Sequence, residues 1–235
     1  MDPLIKSQLL YQLSYAPPIP TSTGGRPIPR PAAPANPPTN RLTLSRLSRH
    51  PPPMPRFVTA TPEGDTRARQ ICADCGHIAY ENPKIVAGAL ILSGEQVLLC
   101  RRAIEPRHGY WTLPAGYMEL GETVEEAARR EAAEEAEADI VLEGMLAMFS
   151  IARIGQVHVL YRARFADPAA PHFAAGHETL EAALFPYDRI PWSDLAFPTI
   201  TWALRAWHAA GPGPLGPPAT NPPEDPRGVH RAGQP

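Results

Sequence analysis

Proline placement limits what this chain can fold into more than any other feature. Of its 31 prolines, 15 precede residue 63 and 8 follow Gly211. Proline fixes φ and removes the backbone donor, so dense proline text supports neither a helix interior nor a central strand. Stretches such as PIPRPAAPANPPTN and RHPPPMPR also bury too little apolar surface to offset the entropy of ordering. Residues 1–61 are therefore expected to be a disordered Pro/Arg-rich segment and residues 211–235 a disordered Pro-rich tail. The remaining stretch, about 145 residues, is long enough for the core of one domain.

Between Asp2 and Glu63 the chain carries six arginines and no acid. That is the profile of an organelle transit peptide; a mistaken start site in GC-rich coding text gives the same picture. LIKSQLLYQLSYAP has polar breaks inside its apolar run, which disfavours a cleaved secretory signal. A formal net charge of −2 exerts no general pull on nucleic acid or membrane. Three cysteines cannot build a disulfide framework, and no run reaches the apolar length of a membrane span. The expected setting is a reducing, cytoplasmic one, or an organelle if the N-terminus is a transit peptide. Neither a nucleic-acid nor a membrane partner is expected, and a homodimer is left open.

From Ile85 the text changes. IVAGALIL is a continuous apolar run, Gly94 a turn signal, and QVLLCRR a second run, which together predict a hairpin with Cys100 in the core. AIEPRHGYWTLPAGYMELGE reads as a loop. Thr123–Ala136 lacks Gly and Pro and is rich in Ala and Glu, so it predicts a helix, opened by the capping-box spacing of Thr123 and Glu126. MLAMFSIAR, Gly155 and QVHVLYRARF predict a second hairpin, LEAALFPY another strand, and FPTITWALRAWHAA a closing helix. The expected fold class is α/β, a mixed sheet sandwiched between helices.

The helix carries an unusual charge pattern. Glu131, Glu134 and Glu135 stand at i, i+3 and i+4, sharing one face, and no Lys or Arg follows until Arg153. They lie toward the helix C-terminus, where the macrodipole disfavours negative charge. Two like charges about 4 Å apart repel by on the order of 4 kcal/mol at an effective dielectric near 20. Three such carboxylates call for a cation, and a hard divalent ion such as Mg²⁺ suits carboxylate oxygens.

Gly116, Glu122, Arg130, Glu131, Glu134 and Glu135 carry the spacing G-x5-E-x7-R-E-U-x-E-E, where U is apolar, which resembles the Nudix box. Flanking text that resembles bacterial and plastid Nudix hydrolases acting on ADP-ribose or FAD includes EGDTRARQICADCG, YENPKIVAGALI, CRRAIEPRHGYWTLPAGYMELGET, ALFPYDRIPW and LAFPTI. The resemblance spans Pro62 to Trp207 and implies an α/β/α sandwich over residues 85–210, preceded by a half zinc-ribbon-like segment over residues 62–84.

It further implies that Glu131, Glu134, Glu135 and the Gly116 carbonyl hold Mg²⁺ or Mn²⁺, while Glu122 braces Arg130 and Arg130 orients Glu131. Glu178 and Glu181 lie where related enzymes have an additional carboxylate. Arg101, Arg102 and Arg107 flank the loop entering the box and are candidates to hold phosphates. Trp111 and Tyr117 are candidates to stack on an adenine or flavin ring, with a core role the alternative for Trp111. The implied reaction is Mg²⁺-dependent hydrolysis of a nucleoside diphosphate linked to another moiety, ADP-ribose first and FAD or NADH next. The same box is compatible with a nucleotide-binding module without turnover, or with enzymes acting on oxidised nucleotides or capped RNA.

Two departures from the pattern stand out. Relatives often carry a zinc ribbon of two CxxC pairs before the catalytic domain, whereas Cys72 and Cys75 form a single pair here, and a Zn²⁺ site of four cysteines cannot be completed within one chain. Glu137 occupies the glycine position of the box. Either Glu137 turns into the left-handed region under strain, the reading we favour, or the helix runs on through Ala138.

Overall fold

The computed structural model describes residues 55–223. It divides into two units that part between Tyr80 and Glu81. In the first, β1 (Phe57–Ala60), β2 (Arg69–Cys72) and β3 (Ile78–Ala79) form a three-stranded antiparallel sheet in that order. The boundary expected at residue 61 therefore falls too late, because Phe57 pairs with Cys72 and Ala60 with Arg69. FVTA is a short β-prone patch that the surrounding prolines conceal in a composition reading. The rest of segment 1–61, up to residue 54, lies outside the described residues.

The second unit is built on a seven-stranded mixed sheet. Its strands are β4 (Lys84–Ser93), β5 (Gln96–Arg102), β6 (Trp111–Thr112), β7 (Ala115–Tyr117), β8 (Ile140–Ile151), β9 (Gln156–Phe165) and β10 (Thr179–Pro186). The main order is β10-β5-β4-β9-β8, with β6 on β5 and β7 on β4. Only β4 and β9 run parallel. Both expected hairpins are present, β4 to β5 about Gly94 and β8 to β9 about Gly155. The loop expected between Ala103 and Glu122 contains the two short strands β6 and β7, which are too brief to show as a periodic pattern.

Helix α1 (Val124–Ala136) lies on one face and α2 (Pro198–Ala210) packs against the cluster on the other. This explains why IVAGALIL is apolar without alternation. Leu90, Leu99, Phe149 and Leu160 pack with Ile200, Leu204 and Trp207 of α2, whereas Ala89, Ile91, Leu98 and Cys100 pack with Ala132 and Ala136 of α1. The α1 side is lined by alanines and so lets the helix approach the sheet closely.

Residues 211–223 correct the expectation of a disordered tail. Met148 donates to the Ala219 carbonyl and Ala219 to the Leu146 carbonyl, each at 2.9 Å. Leu215 and Ala219 pack on the α2-side core. Prolines at 212, 214, 217 and 218 leave just enough donors for this edge pairing, a tertiary contact that composition does not reveal. Residues 224–235 lie outside the described residues.

The start of α1 follows the sequence closely. Thr123 Oγ1 accepts from the Glu126 amide at 3.2 Å, and Glu126 Oε2 accepts from the Thr123 amide at 2.7 Å, closing the capping box. Its end is set by Glu137 at φ 48° and ψ 30°, in the left-handed region, so the strained alternative is the one adopted. Replacing it should therefore relieve strain. Glu137→Gly is expected to stabilise the protein by up to about 1 kcal/mol, strain relief being partly offset by glycine's freedom when unfolded. Urea denaturation checks this, and a lower midpoint for the glycine variant refutes it.

Candidate active site

Helix α1 buries Ala127, Ala128, Glu131, Ala132, Glu135 and Ala136. Two of the three acids therefore face the sheet among alanines, while Glu134 stays exposed. A buried carboxylate requires partners, and each finds one. Glu135 Oε2 accepts from the Ala115 amide of β7 at 3.1 Å. Burial still pushes the Glu135 carboxyl up to about 8, with the neighbouring Glu131 adding to the rise. Burial likewise raises Glu131, opposed by its hydrogen bond from Arg130.

Arg130 gathers the remaining acids. Its Nε and Nη2 donate to the two oxygens of Glu122 at 3.1 and 2.8 Å. Nη1 donates to Glu131 Oε1 at 2.7 Å and Glu134 Oε2 at 2.9 Å, and Nη2 also reaches the Tyr117 carbonyl at 3.0 Å. The paired guanidinium holds the Glu122 carboxyl below its ordinary value. Gly116 closes the arrangement, since a Cβ there would fall inside the Glu131 carboxylate.

These groups border a cavity of about 1130 Å³. Gly116, Tyr117, Arg130, Glu131, Glu134 and Glu135 lie on its wall, as do Arg102 and Arg107 from the preceding loop. Arg101, Trp111 and Glu181 are not on that wall. Arg101 donates to the Gly109 carbonyl at 2.9 Å and stands 3.8 Å from Glu181, so these two engage each other at the strand edge. Trp111 packs edge-on against Phe185, centroids 5.0 Å apart, and takes the core alternative. Glu122 is off the wall too and is held against Arg130. Of the two outer carboxylates, Glu178 is on the wall.

The approach of Glu178 depends on a glycine. Ala174 and Gly176 donate to the Ala136 and Glu135 carbonyls, covering the open end of α1. A Cβ on Gly176 would collide with the Glu134 carbonyl, so only glycine allows this approach. Sequence reasoning passed over Arg153, His158, Thr199 and Trp202, all on the wall. Thr199 is 3% exposed, and its hydroxyl has no hydrogen-bond partner. No local spacing links these residues, because they arrive from the turn after β8, from β9 and from α2 by tertiary folding.

The donor set of three carboxylates beside a backbone carbonyl suits a hard divalent cation. Among the described residues no three His, Cys, Asp or Glu side chains form a ready metal cage; Arg130 is the cationic partner of Glu131 and Glu134. Zinc is a different case. The Cys72 amide donates to the His77 carbonyl and the Gly76 amide to the Cys72 carbonyl, making a tight knuckle. Amides of Cys75 and Asp74 hold the Cys72 thiol below its ordinary value. The third cysteine of the chain, Cys100, is buried in the other unit. Two thiols alone do not fit a closed four-cysteine Zn²⁺ site.

No helix among the described residues is long and apolar enough to cross a membrane. Comparison with known proteins then bears on the whole arrangement. The ADP-ribose pyrophosphatase of Methanocaldococcus jannaschii is 31% identical over 113 residues, 48% of this chain and 67% of that protein. An NAD-capped RNA hydrolase NudC of Haemophilus influenzae is 32% identical over 71 residues, 28% of this chain and only 27% of that protein. The crystal structure of a Nudix hydrolase from Nitrosomonas europaea matches with a TM-score of 0.62 at 40% identity, covering 71% of this chain and 92% of that one. Residues 56–81 match the model of the Nudix N-terminal zinc ribbon. Residues 82–205, more than half of the chain, match the model of the NUDIX domain, and the chain accordingly belongs to the Nudix family.

Proposed function

We propose that this protein hydrolyses the pyrophosphate bond of a nucleoside diphosphate linked to another moiety, with ADP-ribose the first candidate and FAD or NADH next. The observation that carries this reading is the meeting of Glu131, Glu134, Glu135 and Gly116 with Arg102 and Arg107 on one cavity. The acids of this wall suit a divalent cation, and its arginines suit phosphates. The relative named as an ADP-ribose pyrophosphatase supports the order of candidates.

Glu131, Glu134, Glu135 and the Gly116 carbonyl are the groups we assign to hold Mg²⁺ or Mn²⁺. Bound there, the ion supplies charge neutralisation of the diphosphate and a more acidic water. Arg130 orients two of the carboxylates, and the Ala115 amide orients the third. Arg102 and Arg107 neutralise the phosphate oxygens as charge builds in the transition state. We assign Glu178 to accept the proton of the attacking water. Attack at one phosphorus breaks the anhydride P–O bond, so ADP-ribose would give AMP and a ribose phosphate. Incubation with ADP-ribose, FAD and NADH in the presence of Mg²⁺, followed by product chromatography, tests the reading; intact substrate throughout would sink it.

Two substitutions probe the roles. Glu134→Gln removes the charge of an exposed helical carboxylate and should leave the fold intact while lowering kcat by at least about a hundredfold. Parent-like turnover with unchanged Mg²⁺ dependence would remove Glu134 from the site. Arg130→Lys keeps the charge but cannot reproduce the forked geometry toward Glu122, Glu131, Glu134 and Tyr117. Its kcat should fall about tenfold to a hundredfold, because ligand orientation rather than net charge is lost. Steady-state kinetics at saturating Mg²⁺ decide this, and a parent-like kcat contradicts it.

A further inference from the structure

Strand β8 is at the edge of the sheet, so its outer amides and carbonyls need partners or water. The segment after α2 supplies them. Arg162 ties down its beginning, Nε on Glu143 at 2.7 Å and Nη1 on the Gly213 carbonyl at 2.9 Å. Leu215 then packs on the core beside Gly144, a position where any Cβ would meet its Cδ1 at 3.3 Å. Ala219 bridges Ala147 in parallel. Finally Asn221 grips Ser150 at two points: Oδ1 accepts from the Ser150 amide at 2.8 Å, and Nδ2 donates to the Ser150 carbonyl at 2.9 Å. The side-chain amide thus takes the part of a neighbouring strand's peptide group.

Ser150 is the last residue before a stretch that forms one wall of the cavity. Ile151, Arg153 and Ile154 line it, followed by Gln156 and His158 at the start of β9. Between them the chain makes a single turn of 3₁₀-helix, Ala152–Ile154, closed by the Gly155 amide on the Ala152 carbonyl at 3.2 Å. A turn that short has little order of its own. Its surroundings are therefore what fix it: Ser150 and Ile151 pair with Val157 and Gln156 across the hairpin, the Lys84 amide holds the Gly155 carbonyl at 2.8 Å, and Asn221 holds Ser150 from the outer side.

We propose that residues 212–221 form a strap across the sheet edge, and that Asn221 is a positioning residue for substrate, acting through Ser150 on Arg153 and Ile154. This rests on the assignment of the cavity as the substrate site. The carboxylates of α1 do not depend on the strap, since they are fixed by Arg130 and Ala115. Loss of the clamp consequently affects the ordering of the wall around substrate rather than the chemical step, and its effect falls on KM.

The test uses the full chain, with Asn221→Ala, Arg153→Ala and the double variant, on whichever of ADP-ribose, FAD or NADH the parent turns over. Asn221→Ala should raise KM about fivefold to tenfold, the scale of one or two lost hydrogen bonds, with kcat within about twofold. In the Arg153→Ala background the same change should add less than about twofold to KM, because both act through one wall. Hydrogen exchange of the amides from 150 to 156 should quicken about tenfold while that of α1 does not change. An additive effect on KM, a fall in kcat at constant KM, or unchanged exchange at 150–156 would each overturn the proposal. If the parent turns over none of the three substrates, the functional reading fails by itself, and the exchange measurement still decides whether Asn221 orders the wall.

Discussion

One guanidinium organises the acidic helix. Arginine has five N–H donors in a rigid planar fork, and Arg130 spends all of them: two on Glu122, one each on Glu131 and Glu134, and one on the Tyr117 carbonyl. The last bond matters as much as the ion pairs. It ties α1 to β7, so the strand carrying Gly116 and the helix carrying the carboxylates move as one piece. The side chain is about a quarter exposed, which keeps the network from the heavy desolvation of a fully buried charge while screening it less than a surface pair. Lysine could not serve, having neither the plane nor the number of donors.

Such a network demands that backbone elements come closer than ordinary side chains allow. Alanine at 127, 128, 132 and 136 brings α1 down on the sheet. Gly88 leaves no Cβ where Ala115 and the Pro114 carbonyl press against β4, and Gly116 yields its side-chain space to the Glu131 carboxylate. The small residues and the acids are thus parts of one arrangement. A larger residue at Gly116 would push β7 away from the helix, and one at Gly88 would displace Ala115 across the β4–β7 pair, so that the Tyr117 and Ala115 backbone contacts to Arg130 and Glu135 are disturbed in either case.

How far the sequence revealed this depends on the range of each interaction. The capping box of Thr123 and Glu126, the apolar β4 and the buried Cys100 all follow from local pattern, and each is where that pattern implies; at Glu137 local pattern left two outcomes open, and the left-handed one is adopted. The spacing from Gly116 to Glu135 anticipated which residues meet, because the helix repeat and one short strand fix them. Other residues depend on long-range pairing. Glu178 and Glu181 are only three residues apart, yet a register shift between Thr179 and Glu181 separates their surroundings, so that Glu178 borders the cavity and Glu181 meets Arg101. Trp111 was open to a ligand ring or to the core, with the core favoured, and Phe185 supplies its core partner from another strand. The proline-rich tail was hidden for the opposite reason: a composition that argues against regular structure still permits a single strap held by Leu215, Ala219 and Asn221.

The orientation of α1 remains the least intuitive feature. Its acids crowd the C-terminal half, where the helix dipole is negative, and no basic residue occupies the last turn. Two backbone devices reduce the conflict. Glu137 turns the chain so that its own amide and that of Ala138 return to the Ala133 and Ala132 carbonyls respectively, and the loop before β10 donates the Ala174 and Gly176 amides to the Ala136 and Glu135 carbonyls. Four N–H groups therefore cover the negative end without bringing a cationic side chain into the cavity. A lysine in that last turn would stabilise the helix more simply, but it would compete for the same carboxylates that we assign to a divalent cation. Capping with amides satisfies the helix without adding a second cationic side chain beside Arg130 on these acids, and the loop that provides two of those amides is the one that carries Glu178 to the cavity wall.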